Sequence, residues 1–278
     1  MKKINSVSPV VKWVGGKRQI LNEILKYVPQ KFTTYYEPFV GGGAVFFELQ
    51  PEKAVINDIN SELINLYQTI KDNVDELIED LKKHKNDSNY FYRIRELDRD
   101  KEKYNLLSPV ERASRIIYLN KTCYNGLFRV NRAGEFNTPF GNYKNPNIVN
   151  EETLRAVNQY FNTAKISFYN KDYAEVLKGA RKGAFVYLDP PYDPVSDTSS
   201  FTGYDKNGFD RNEQIRLKQT CDMLNKKGIS FLLSNSATDF ILELYKDYKI
   251  EIVKAKRAIN SKADKRGEID EVLVRNFE

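Results

Sequence analysis

An unbroken apolar run, Ala184-Phe185-Val186-Tyr187-Leu188, stops dead at Asp189-Pro190-Pro191-Tyr192. A run with no polar face reads as a buried strand. The loop that follows is stiff, because each proline fixes its own φ. A proline gives no N–H but keeps its carbonyl. An acid, two prolines and a tyrosine at a strand's carboxyl end suit one task, which is to hold a flat exocyclic amine between the acid and a proline carbonyl.

The rest of the chain shows how such a strand is covered. Strand-like and helix-like stretches alternate at both ends, which predicts an α/β fold around a parallel sheet. Tyr35–Phe39, Ala54–Asp58, Lys165–Tyr169 and Ile229–Ser234 read as further strands, and Lys249–Lys254 with Glu271–Val274 as a closing pair. A helix is expected over Asn212–Lys227, started by a capping box of Asp210 with Glu213 and stopped by Gly228. Ala44–Leu49 is expected to be helical after Gly41-Gly42-Gly43.

The middle of the chain differs. From Ser61 to about Lys121 it is helical in pattern and rich in charge. Ser108-Pro109-Val110-Glu111 supplies an N-cap, a proline at the first helical position and a Glu two residues on. That helix should run to about Tyr124, where Asn125-Gly126 breaks it. Leu127–Asn131 and Glu135–Asn137 then flank Arg132-Ala133-Gly134 as a hairpin. The expected division is a catalytic domain from residues 1–60 and 161–278, with 61–160 inserted as a recognition domain or a purely structural helical subdomain.

The 278 residues are 41% hydrophobic and 13% aromatic, enough for a sizeable core, and carry a net charge of +6. The excess favours a polyanionic partner. It is uneven: residues 254–267 hold Lys254, Lys256, Arg257, Lys262, Lys265 and Arg266 against Asp264, and residues 121–146 hold Lys121, Arg129, Arg132 and Lys144 against Glu135. Solvated surface is the plain alternative for either run. Cys123 and Cys221 are the only cysteines, which fits a reducing compartment. The first residues lack the apolar core of a signal peptide, and no apolar run reaches membrane-spanning length. A cytoplasmic protein is expected.

Three further clusters carry chemistry. Phe39-Val40-Gly41-Gly42-Gly43 ends a predicted strand, where glycines let a ligand approach the backbone. Asp58 ends the next strand at the spacing of a ribose-binding acid, although a turn residue or N-cap would look the same. Lys12-Trp13-Val14-Gly15-Gly16-Lys17 sets the only tryptophan between two lysines, suited to a nucleoside or to burial near a turn. Asp172, in Lys171-Asp172-Tyr173, is placed to accept an adenine amino group or to cap a helix. Asp193–Phe209, with Phe201 and Tyr204, reads as a lid or as a long surface loop.

In this order, with Tyr124-Asn125-Gly126-Leu127-Phe128-Arg129 and Gly134-Glu135-Phe136-Asn137-Thr138-Pro139-Phe140-Gly141 between them, these pieces resemble the Dam-type DNA adenine-N6 methyltransferases over nearly the whole chain. The resemblance implies a Rossmann-like fold with a mixed seven-stranded sheet, S-adenosylmethionine as methyl donor, no metal, and double-stranded DNA as partner. It implies that Trp13, Lys17, Asp58 and Asp189 contact the donor, with Phe39, Gly41 and Gly43 along its methionine part and Asp172 and Tyr173 completing the pocket. Asp189, Pro190 and Tyr192 would act on the flipped adenine. Lys12 and Arg129 would face guanines, Asn125 and Pro139 the central pairs, and Tyr124 and Leu127 the opened duplex. Lys121, Asn131 and Tyr143 would complete the DNA contacts. The family's usual target is GATC. The nearest likeness is to modification enzymes of restriction–modification systems, acting as monomers beside an independent endonuclease.

Rival chemistries have less support. Cytosine-C5 transfer needs a nucleophilic cysteine after proline, whereas Cys123 follows Thr122 and Cys221 follows Thr220; both read as core residues. The single histidine, His84, sits in Lys82-Lys83-His84-Lys85 and reads as a solvated helix end. Cytosine-N4 transfer shares the amine chemistry and stays open, as does a DNA-binding regulator with an idle donor pocket. Protein-glutamine methylation would favour Asn in place of Asp189.

Overall fold

A computed structural model describes residues 3–131, 133–195, 208–256 and 268–278. The seven strands are β1 (Tyr35–Glu37), β2 (Lys53–Asn57), β3 (Lys165–Tyr169), β4 (Phe185–Leu188), β5 (Ser230–Ser236), β6 (Lys249–Lys256) and β7 (Glu268–Arg275). They form one sheet in the order β3-β2-β1-β4-β5-β7-β6. The first five run parallel, and β7 lies antiparallel to both β5 and β6. The tail pair therefore closes the sheet as expected, and the sheet is mixed.

Eleven helices are described: α1 (Leu21–Lys26), α2 (Ala44–Leu49), α3 (Ser61–Asp72), α4 (Val74–Leu81), α5 (Ser88–Glu96), α6 (Lys101–Asn105), α7 (Pro109–Thr122), α8 (Glu151–Thr163), α9 (Tyr173–Lys178), α10 (Arg211–Lys226) and α11 (Asp239–Leu244). They cover both faces of the sheet, because the strands are apolar on both. On β4, Phe185 and Tyr187 join the core shared with α2, α3, α7 and α8, while Val186 and Leu188 join the one shared with α9, α10 and α11. Alternate residues of a strand point to opposite faces, so the apolar run of β4 is the signature of a central strand.

Local signals set the helix ends. Ser108 and Glu111 form the reciprocal capping box at the start of α7. At α10 only half of the expected box is made. Asp210 accepts from the Glu213 N–H, but the Glu213 carboxylate turns to Arg216 at 3.0 Å. A guanidinium offers the carboxylate a charge-assisted bond, which outweighs a neutral backbone N–H. Gly228, at φ +64°, ends α10. The N–H of Ile229 bonds to Leu224 O and that of Gly228 to Asn225 O, the Schellman pattern.

Residues 58–164 link β2 to β3, and the buried side chains of α3, α4, α7 and α8 join the same core as Tyr35, Phe185 and Tyr187. The expected hairpin is present but short. Val130 bridges Phe136, and Asn131 N–H bonds to Glu135 O at 2.8 Å. The Asn137 N–H adds a second ladder bond to Arg129 O at 2.9 Å, and side chains take neighbouring backbone groups. The Phe136 N–H donates to Asp98 at 2.8 Å, and the Thr138 hydroxyl donates to Leu127 O at 2.6 Å. Arg132, most of the lid stretch with Phe201 and Tyr204, and the basic run beyond Lys256 lie outside the described residues.

His84 corrects the sequence reading. It is not a solvated helix end. Its ring stacks on Tyr118 at 4.3 Å, and its nitrogens meet Tyr90 Oη at 2.9 Å and Ser114 Oγ at 3.0 Å. Burial lowers its pKa to about 4, so it is a neutral cross-link between α4, α5 and α7. The flanking lysines that suggested solvent point away, paired with Glu79 and Asp80 one turn earlier.

Candidate functional site

A cavity of about 720 Å³ opens at the carboxyl ends of the parallel strands. It lies where β1 and β4 are neighbours although far apart in sequence, the point at which chain order reverses and α/β sheets bind ligands. The end of each strand from β1 to β4 contributes: Phe39 and Gly41 after β1, Asp58 after β2, Asp172 and Tyr173 after β3, Asp189 to Tyr192 after β4. Trp13 and Lys17 complete the wall. Residue 189 thus lies in one crevice with positions 13, 41 and 58. Gly43 is not among the lining residues; it caps α2, and a Cβ there would meet the Phe47 ring at 2.9 Å.

Asp189 has a definite orientation. Lys17 Nζ lies 2.7 Å from its Oδ1, and Ser234 Oγ donates to the same oxygen at 3.0 Å. Burial pushes the Asp189 pKa up, while the charge and hydrogen bond of Lys17, and then Ser234, pull it back. Lys17 also donates to Gly15 O at 2.5 Å and lies 4.5 Å from the centre of the Tyr192 ring. The Tyr192 hydroxyl donates to Glu271 at 2.8 Å, which sets the plane of that ring. The double proline is pinned from behind. Gln214 Nε2 donates to Pro191 O at 2.9 Å, Asn235 donates to Gln214 at 3.0 Å, and the buried Asp193 takes bonds from Arg211 and Thr238.

Across the cavity, Trp13 stacks on Phe128 with ring centres 4.3 Å apart and planes 18° from parallel. Gly41, at φ +47°, is needed for this packing, since a Cβ would lie 2.9 Å from Trp13 Cδ1. The glycine turn therefore admits the protein's own indole, in addition to lining the cavity. Asp58 accepts from Gly41 N–H at 3.0 Å and Asn60 N–H at 2.9 Å. Burial raises its pKa to about 6 against those two bonds. Asp172 caps α9 through Ala174 N–H, and Arg216 holds its carboxylate at 2.5 and 2.9 Å. Those bonds and that charge keep its pKa low despite the cost of burial. Tyr173 and Phe39 lie ring to ring at 5.1 Å.

The remaining predicted residues gather beside this cavity rather than in it. Tyr124 and Asn125 are exposed on the turn after α7, with Asn125 at φ +56°. Pro139 O accepts the Tyr124 N–H at 2.8 Å and holds that turn. Leu127 is half-buried. Arg129 is exposed and braced by Asn137, whose Oδ1 takes its Nε–H at 2.7 Å. Asn131 is engaged within the hairpin: its Oδ1 accepts the Ala133 and Glu135 N–H groups, and its Nδ2 donates to the Glu135 carboxylate at 2.7 Å. Tyr143 is part-exposed, and its carbonyl accepts from Asn86 at 2.7 Å. Lys121 is partly covered, and burial with the charges of Lys12 and Arg18 lowers its pKa. These three cations form one basic cluster.

Sequence reasoning missed several residues here. Ser234, expected only as the end of a strand, donates to Asp189, and Thr238 caps α11. Glu271 and Arg216 looked like ordinary strand and helix residues. Glu37, expected only as part of a strand, is buried beneath the site with its carboxylate on the Tyr35 hydroxyl at 2.6 Å; burial holds its pKa well above the usual range. Asn57 ties the loops after β1 and β3 through Pro38 O and Lys171 O at 2.9 and 3.0 Å. A buried Asn or Ser at a strand end was the available signal. Both cysteines are buried, and burial pushes the Cys123 thiol up to about 12, so neither is poised as a nucleophile. Among the described residues, no group of three or more His, Cys, Asp or Glu is placed to hold a metal, and no helix is long and apolar enough to cross a membrane.

Comparison with known proteins agrees with this geometry. The profile of the family described as D12 class N6 adenine-specific DNA methyltransferase matches residues 13–259. The chain is 46% identical over 277 residues to the type II methyltransferase M1.LlaDCHI of Lactococcus lactis subsp. cremoris, covering 99% of this chain and 97% of that one. It is 42% identical to the type II methyltransferase M.MjaIII of Methanocaldococcus jannaschii, covering 98% and 99%. It is 36% identical to the DNA adenine methylase of Escherichia coli K12, covering 95% and 93%. The mixed seven-stranded α/β fold, the crevice at its strand ends and these matches lead to one conclusion: the chain belongs to the D12 class of N6 adenine-specific DNA methyltransferases.

Proposed function

We propose that this enzyme methylates the adenine of GATC in double-stranded DNA, with S-adenosylmethionine as donor, as the modification partner of a separate restriction endonuclease. The observation that carries the reading is the orientation of Asp189: among the described residues, Lys17 and Ser234 both meet Oδ1, and Oδ2 is the atom assigned to the amine. The cavity suits the donor, with an acid at the end of β2 for ribose hydroxyls, an indole wall and an acid–arginine pair at the far side. Residues 61–160 carry recognition. The type II names of the relatives from Lactococcus and Methanocaldococcus support a restriction–modification role. The protein acts in the cytoplasm as a monomer, without a metal.

When bound, the donor supplies a sulfonium methyl carbon. An adenine inside a duplex is out of reach, so the base has to leave the stack. Asp189 Oδ2 and the Pro190 carbonyl accept the two amino hydrogens and aim the nitrogen lone pair at the methyl carbon. The Tyr192 ring, set by Glu271, stacks on the purine. Asp189 would take the proton that the nitrogen releases as it gains the methyl group, the leaving electron pair staying with the donor's sulfur. Positioning and charge placement carry the rate. Lys12 and Arg129 read guanine edges, Arg129 through its remaining N–H groups, and Arg18 and Lys121 meet phosphates.

Labelled methyl transfer to plasmid DNA from a host without adenine methylation tests this, followed by digestion with GATC-sensitive nucleases. The expected result is labelled N6-methyladenine, protection at GATC, and an Asp189→Ala variant that binds DNA but transfers nothing. Label on cytosine, or no protection at GATC, would refute it.

A further inference from the structure

Asn120, near the end of α7, is 2% exposed and touches two parts of the molecule with different tasks. Its Oδ1 accepts the Lys12 N–H at 2.8 Å. Its Nδ2 donates to Lys12 O at 2.8 Å and to Gly126 O at 3.1 Å. One amide thus bonds both backbone groups of the residue before Trp13 and the carbonyl in the middle of the turn that presents Tyr124 and Asn125. The two segments also pack directly. Trp13 stacks on Phe128, and a Cβ on Gly126 would lie 2.7 Å from Lys12 Cδ. A few residues on from Lys12 stands Lys17, with Nζ on Asp189.

We propose that Asn120 is a positioning residue that couples DNA recognition to the geometry of the donor cavity. This rests on the function proposed above. DNA contacts made by Tyr124 to Arg129 fix the turn, and Gly126 and Phe128 are part of it. Asn120 and the Trp13–Phe128 stack pass that constraint to Lys12–Lys17, hence to the indole wall and to the cation on Asp189. The link is short, buried and hydrogen-bonded at both ends, so a shift of the turn cannot be absorbed without breaking a bond in the interior. Coupling between two binding events is reciprocal and is commonly about 5- to 150-fold.

The test uses Asn120→Asp. The carboxylate still accepts from Lys12 N–H but cannot donate to Lys12 O or Gly126 O. Emission of Trp13, the only tryptophan, follows titration with S-adenosylhomocysteine, alone and with a GATC duplex or a duplex altered at one base pair. In the wild type the GATC duplex changes affinity for this probe and the altered duplex does so less. In the variant the two affinities converge, and kcat on GATC falls while KM for DNA stays near wild type. A thermal melt verifies folding. If Asn120→Asp does not fold, Phe128→Leu, which removes the stack but keeps an apolar side chain, carries the same expectation. A folded variant with wild-type coupling overturns the inference, as does a wild type that transfers methyl groups with no coupling; both leave the proposed function intact. A wild type that transfers no methyl group overturns the function and the inference together.

Discussion

Replacing Lys17 with methionine isolates the electrostatics of the site, because methionine keeps the unbranched stem and removes the charge. Lys17 Nζ lies 2.7 Å from Asp189 Oδ1, with side chains 8% and 19% exposed. At that distance and an effective dielectric near 20, the Coulomb attraction is about 6 kcal/mol. Desolvation of the ammonium offsets much of it. Removing an opposite charge so close to a carboxylate then favours the protonated acid by about 1.4–4 kcal/mol, or about 10- to 1000-fold. Burial already pushes the Asp189 pKa up, and Ser234 alone remains to oppose it. A protonated Asp189 cannot take a proton from the amine. Single-turnover methyl transfer measured from pH 5.5 to 9.5 should show the acid limb displaced to higher pH in Lys17→Met, with activity partly restored at alkaline pH. A limb at the wild-type position, with a loss uniform in pH, would refute the argument and leave Lys17 a purely structural role.

Burial raises the Asp58 pKa to about 6. Its folded pKa is raised, so it holds a proton up to about pH 6, while ribose hydroxyls require the ionised form. Donor affinity should therefore fall about tenfold per pH unit below 6, and Asp58→Asn should flatten that slope; calorimetry in matched buffers reads both. Asp98 joins the buried Arg115 at 2.9 Å, Arg99 at 2.7 Å and the Phe136 N–H at 2.8 Å. Asp98→Ala leaves a guanidinium that is 3% exposed without its carboxylate and should destabilise by about 3–5 kcal/mol in urea unfolding. A loss below 1 kcal/mol would mean that water reaches Arg115. Arg129→Ala should cost about 1–3 kcal/mol of discrimination against altered sites and less on random DNA, in competition binding at fixed salt. Equal loss on both would remove Arg129 from base reading.

Much of the fold was legible because its cues are local. An apolar run such as Phe185–Leu188 has to be covered on both faces wherever it sits. Ser108-Pro109-Val110-Glu111 closes its own capping box within one turn. Gly228 ends α10 because it takes a left-handed φ at little steric cost. The half-made box at Asp210 shows where that locality ends. The signal was correct for Asp210, but Glu213 had a better partner in Arg216, three residues on and already bound to Asp172 across the chain. His84 failed for a similar reason: three neighbouring lysines said solvent, while Tyr90, Tyr118 and Ser114 came from two other helices.

By itself the order of residues determined the alternation that builds the sheet, the clusters that meet at its strand ends, and the amine-gripping loop at Asp189. Those depend on periodicity, on turn chemistry and on which atoms can accept a hydrogen bond. Only the tertiary structure decided which oxygen of Asp189 is occupied, that Glu271 orients Tyr192, that the glycine turn makes room for Trp13, and that Asn120 ties Lys12 to Gly126. Each of these joins residues tens to more than a hundred positions apart. Their strength comes from burial and exact approach, which exist only once the chain has closed on itself.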